Sequence, residues 1–131
     1  MNDAERQIAK AYQNLEFARY ALAGEYAEEA GSSAYMAAFH AALAFIVARS
    51  GKSPKTHSGT RSEFARLARE EPGISREQVS LLGWSYELKN VADYDQDHRV
   101  SLAEAERAIS EASQLVETIA ALVGTTAGST G

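Results

Sequence analysis

A chain of 131 residues, 45% of them apolar, is long enough to enclose one hydrophobic core, and its two prolines and abundant alanine favour long helices over a turn-rich sheet. The absence of cysteine excludes disulfides and thiolate metal sites, and it is compatible with a reducing cytoplasm. A formal charge of −5 excludes a general attraction for a phosphate backbone, so any nucleic acid must meet a local basic patch or one assembled between subunits.

The opening is polar and helical in pattern, without the basic and apolar regions of a secretory signal, and a cytoplasmic location is expected. Asn2 and Glu5 form a capping-box-like pair for helix one, after which Ile8, Ala11, Leu15, Ala18 and Leu22 recur at bundle spacing. Gly24 marks the turn. Helix two is expected from near Tyr26, with Glu28 and Glu29 in its first turns and Ala30, Ala34, Ala37 and Ala41 as a stripe of small residues.

Residues 31–48 carry no formal charge, and as a helix they would span roughly 27 Å at about 1.5 Å per residue, close to a bilayer's hydrocarbon thickness. Serines, a histidine and many alanines give little transfer energy, so this segment is expected at the centre of a bundle rather than in a membrane. Residues 49–59 contain two glycines, Pro54, Lys52, Lys55 and His57, and form the longest expected nonhelical connection.

Thr60 and Glu63 match a capping box ahead of Phe64, Leu67 and Ala68, giving a short helix stopped by Pro72 and Gly73. Ser75 and Gln78 repeat the pattern before a fourth helix over about 76–94, through Val79, Leu82, Tyr86 and Val91. Ser101 and Glu104 open a fifth, along Ala105, Ala108, Ala112, Leu115, Ile119 and Leu122. These elements predict an all-α protein, an antiparallel four- to five-helix up-and-down bundle over residues 1–123, with a flexible tail over 124–131 that is too poor in apolar residues to anchor itself.

The densest polar cluster closes helix four: Tyr86, Lys89, Asn90, Asp93, Tyr94, Asp95, Asp97, His98 and Arg99. Lys89 and Asp93 are four apart, as are Tyr86 and Asn90, so each pair shares a face. Such a face binds phosphate or holds two helices together. His40, on an apolar helix, reads either as a satisfied core histidine or as an acid–base group at a cleft, and His57 reads as a residue that pins the connection. Asp93, Asp95 and Asp97 fall on the first, third and fifth places of a calcium loop, with Glu104 on the twelfth, but His98 occupies the place that needs glycine. Ser101 explains Glu104 without an ion. No metal or other cofactor is expected, and no Walker loop or His-Glu-x-x-His motif is present.

The run SAYMAAFHAALA over 33–44, then KTHSG over 55–59 and ELKNVADY over 87–94, resembles the HEPN family of small helical proteins across roughly residues 5–123. The resemblance implies a helical bundle, commonly a homodimer, often paired with a minimal nucleotidyltransferase as antitoxin. Some members are toxins that cut RNA without a metal, using an arginine, four to six intervening residues and a histidine near the dimer axis. Here Lys89 takes the place of the arginine in the related Arg-x-x-Ala-Asp-Tyr pattern, Asn90 stands beside it, and Asp93 and Tyr94 close it. The first downstream histidine, His98, lies eight intervening residues beyond Lys89, outside the usual interval.

By this resemblance Lys89 would stabilise phosphate charge, His98 would move a proton, and Asp93 and Tyr94 would position them. Tyr35, His40, His57 and Tyr86 would support the site. Two alternatives stand beside the nuclease: a noncatalytic dimeric module that binds a protein partner, and nucleotide binding between helices two and four with Lys55, Lys89 and Asn90 on the phosphate.

Overall fold

The computed structural model describes residues 2–94 and 99–124, with only the helical backbone over 91–94. Five helices follow one another: α1 (Asp3–Ala23), α2 (Ala27–Ser50), α3 (His57–Ala68), α4 (Arg76–Tyr94) and α5 (Leu102–Leu122). The fold is an all-α bundle, as the hydrophobic spacing predicts. Of the tail expected over 124–131, all but Gly124 lies outside the described residues.

Side-chain caps set the helix starts that the sequence marks. Asn2 accepts from the Glu5 N–H at 2.8 Å. Ser75 and Gln78 close a reciprocal box, Gln78 N–H to Ser75 Oγ at 3.1 Å and Ser75 N–H to Gln78 Oε1 at 3.0 Å. Ser101 and Glu104 do the same at the head of α5, which gives Glu104 a structural role there. At the other end of α2, Gly51 takes φ 77°, the left-handed conformation that closes a helix at little cost only for glycine, and its N–H donates to the Val47 carbonyl.

All four other helices pack against α2. Ala30, Ala34, Ala37 and Ala41 are fully enclosed, together with Ala38, Ala42 and Ala44, so the small-residue stripe lets neighbouring backbones come close. Gly31 sits against side chains of α4 and of the segment before α5: a Cβ there would meet Leu88 Cδ2 at 3.4 Å and Val100 Cγ1 at 3.8 Å. Among the described residues, α2 alone is long and apolar enough to cross a membrane, but 72% of its most apolar window is buried within the bundle.

Cross-helix contacts give the directions. Tyr12 donates to Glu117 and Arg19 to Ser113, so α1 and α5 run antiparallel. Gln78 meets Thr118 while Arg107 covers the Trp84 ring, which sets α4 against α5 in the same sense. The short turn at 24–26 makes α1 and α2 a hairpin.

The third helix departs from its expected boundary. Residues 49–59 were expected to be nonhelical with Thr60 as the cap, but Thr56 is the cap, its hydroxyl accepting from the Gly59 N–H at 2.8 Å. Thr60 is instead a buried first-turn residue whose hydroxyl donates to the Thr56 carbonyl. The physical reason is that an N-cap needs only one side-chain acceptor, and Thr56 supplies it without the glutamate that completes a box.

This earlier start matters for the site. His57 stacks on Phe39, Phe64 meets Phe45, and Glu71 pairs with Arg49, so α3 advances in the direction of α2. The six-residue link 51–56 therefore runs back along α2. Six extended residues reach roughly 20 Å, enough to cover the roughly 17 Å of helix between Phe39 and Ser50.

Candidate functional site

The doubled-back link delivers the start of α3 to the middle of α2, opposite α4, and polar groups from all three helices meet there. Tyr35 of α2 is completely buried. Its ring lies 5.6 Å from that of Tyr86 on α4 and 6.0 Å from Phe39. The His57 imidazole lies nearly flat on Phe39, 4.1 Å between centroids at 14°, with its Nδ1 2.9 Å from the Tyr35 hydroxyl.

One turn along α3 from His57 is Arg61, whose guanidinium carbon sits 3.9 Å from the centre of the Tyr86 ring. Arg61 also acts on the Tyr35 hydroxyl through hydrogen bonding and charge, and Lys89 on α4 lies within electrostatic reach of both Tyr35 and His57. Arg61 Nη1 is buried and has no hydrogen-bond partner among the described residues.

The protonation equilibria record this setting. Burial pushes the Tyr35 phenol above its usual range, with Arg61 pulling the other way. Partial burial lowers the His57 pKa, and the positive charges of Arg61 and Lys89 lower it further. His40 is lowered chiefly by burial and then by Lys10 and His57. Cationic and imidazole groups thus act on one another in a chain, Lys10 to His40 to His57 to Arg61 and Lys89, on a protein whose overall charge is negative.

Those shifts carry a sign. A histidine whose folded pKa lies below its ordinary value near 6.5 binds protons less readily than the same residue in the unfolded chain, so acid favours unfolding. Stability should fall as pH drops through about 6.5 and level off once the lowered folded pKa values are passed. Urea unfolding at a series of pH values checks this; replacing both His40 and His57 by glutamine should flatten that part of the profile.

The structure brings together Tyr35, His57, Tyr86 and Lys89, four of the residues singled out by sequence. His40 adjoins them, edge-on to Phe39 at 5.6 Å, half-buried and donating from Nδ1 to Gln7 Oε1 at 2.7 Å. Asn90 is half-buried on the next position of α4, whereas Lys55 is exposed on the link and joins no described contact of the cluster. The backbone of Asp93 and Tyr94 completes the last turn of α4, but their side chains, and the whole of Asp95, Asp97 and His98, lie outside the described residues. Among the described residues no group of three or more metal-ligating side chains comes together.

Arg61 is the residue that sequence reasoning missed. Its signal was the i, i+4 spacing from His57, legible only once Thr56 rather than Thr60 is recognised as the cap. With it, the junction of α2, α3 and α4 gathers an ammonium, a guanidinium and an imidazole around the rings of Tyr35, Phe39 and Tyr86, donors suited to an oxyanion.

The pattern of the HEPN domain matches this chain over residues 4–122. The chain is 32% identical over 117 residues to a UPF0332 protein of Archaeoglobus fulgidus, covering 89% of this chain and 92% of that one. It is also 31% identical over 112 residues to a protein of Methanocaldococcus jannaschii that carries the name "putative toxin", covering 86% of this chain and 82% of that one.

Proposed function

The chain belongs to the HEPN domain family, and from that premise we propose that it is a toxin-type protein that holds RNA by its phosphates and cleaves it without a metal. One observation carries the reading: on a chain of net charge −5, the charged groups among the described residues that act on Tyr35 and His57 are the cations Arg61 and Lys89. A relative that carries the name "putative toxin" points the same way.

In this reading the ribose 2′-hydroxyl attacks the adjacent phosphorus, forming the 2′-O–P bond and breaking the bond to the 5′-oxygen. One proton leaves the 2′-hydroxyl and one reaches the departing oxygen. The nucleophile belongs to the substrate, so the protein's task is to position it, stabilise charge and move protons. Lys89 stabilises the charge that grows on the phosphate, His98 assists proton transfer, and Asp93 and Tyr94 hold the two in place.

We further propose a homodimer that brings two such faces together, with a nucleotidyltransferase-like antitoxin as partner. The exposed aromatics Phe17, Tyr20 and Tyr26, on α1 and the turn after it, support an assembled state.

Wild type, K89A and H98A should be compared on mixed RNA in EDTA. Each variant is expected to slow cleavage by about a hundredfold. Equal rates in all three would remove these residues from the reaction. The second reading, a noncatalytic module that binds a nucleotide or a partner, draws on Lys89 itself, because an ammonium cannot brace a phosphate with a planar fork. No cleavage by clean wild type across varied RNAs, with recovery of a nucleotidyltransferase-like protein in pull-downs from the host, favours it.

A further inference from the structure

Five other arginines have carboxylate partners: Arg6 with Asp3, Arg49 with Glu71, Arg66 with Glu63, Arg99 with Glu28 and Arg107 with Glu111. Arg61 has none among the described residues. It lies on the Tyr86 ring, beside the Tyr35 hydroxyl, in the field of His57. Its Nη1 is shielded from water and has no acceptor among the described residues. A buried donor without an acceptor is costly and uncommon, and a ligand oxygen is one way to satisfy it.

The neighbouring hydrogen bond adds direction. Tyr35 is fully buried, so its hydroxyl proton needs an acceptor, and Arg61 can only donate. His57 Nδ1, at 2.9 Å, is the acceptor in reach. Tyr35 therefore donates to Nδ1, and the neutral imidazole carries its proton on Nε2, at the opposite edge of an exposed ring. Phe39 beneath it fixes the plane of that ring. Two donors one turn apart on α3, the Arg61 guanidinium and His57 Nε2–H, thus stand within electrostatic reach of each other and, for His57, of Lys89.

We propose that Arg61 and His57, held by Tyr35, Phe39 and Tyr86, form a phosphate-binding subsite on α3 that supplies the guanidinium fork α4 lacks at Lys89. The ligand is a phosphate ester, either of an RNA backbone or of a free nucleotide. The subsite deepens the reading of a phosphate-holding groove but does not depend on cleavage.

The test is binding, measured apart from turnover. Fluorescence anisotropy with a labelled 2′-fluoro oligonucleotide, which lacks the attacking hydroxyl, reads the polymer, and calorimetry with adenosine monophosphate and inorganic pyrophosphate reads the free phosphates. R61Q should weaken binding roughly tenfold to a hundredfold, the size of a lost charge-assisted contact. For the oligonucleotide it should also reduce the salt slope by about one. R61K, which keeps the charge and the aliphatic stem but not the fork, should remain well below wild type.

Circular dichroism establishes that each variant is folded, and if R61Q unfolds the comparison rests on R61K. Histidine 15N spectra should show His57 protonated at Nε2 in the free protein and perturbed on adding the bound probe. Arg61-dependent binding of any probe supports the subsite, the responding probe distinguishing polymer from free nucleotide, and it stands even if wild type never cleaves RNA. Unaltered affinity in the folded variants, or no binding of any probe by wild type, overturns the subsite. Cleavage that persists with Arg61-independent binding overturns the subsite while leaving the nuclease reading intact.

Discussion

Replacing Tyr35 by alanine is expected to lower the free energy of unfolding by about 3–5 kcal/mol, the range for deleting a buried aromatic ring. Tyr35 is fully enclosed and touches the rings of Phe39, His57 and Tyr86, so the substitution opens a cavity where α2, α3 and α4 meet. It also removes the hydroxyl bonded to His57 Nδ1. Tyr35→Phe separates the two effects: it keeps the ring and should cost only about 1 kcal/mol, while releasing the imidazole to choose either tautomer. Urea unfolding gives the stabilities, and histidine 15N spectra give the tautomer. A phenylalanine variant as unstable as the alanine one would show that the hydroxyl, not the ring, holds the junction.

Phe64→Ala should have a comparable cost, about 3–5 kcal/mol, but a different distribution. Phe64 is fully buried and meets Phe45 edge-on at 5.9 Å. It is the largest of three buried residues, with Thr60 and Ala68, that attach α3 to the rest. A helix of 12 residues has little stability alone, so its place depends on those contacts. The variant should lose amide protection in α3 before it loses protection in α1, α2 or α5. Hydrogen exchange read residue by residue checks this; uniform loss across all five helices would show that α3 opens only with the whole.

What the sequence makes legible here is local. The caps at Asn2, Ser75 and Ser101 are readable because each cap and the residue it serves are three positions apart. The burial of α2 is readable from its uncharged, alanine-rich stretch. The heart of the site is only partly so. Tyr35, His57, Tyr86 and Lys89 stand out by residue type, but their meeting depends on how the link 51–56 runs, and that path is set by Phe39, Phe45 and Phe64 packing across helices rather than by its own residues. Misplacing one cap from Thr56 to Thr60 left His57 in a connection and hid its helical neighbour Arg61. Lys55, by contrast, stands out by charge and sequence proximity alone, and the link leaves it in solvent.

The helices that meet at Tyr35 and His57 differ in durability. α2 is gripped on every side, whereas α3 hangs by a few side chains from a link that has turned back on itself. Warming therefore need not melt the bundle to break this junction: detachment of that one short arm would carry the guanidinium and the imidazole away together while α4 kept Lys89 in place. If the proposed subsite binds phosphate, that binding should therefore be lost at a lower temperature than the scaffold, and a partner that clasped α3 would strengthen it without touching the ligand.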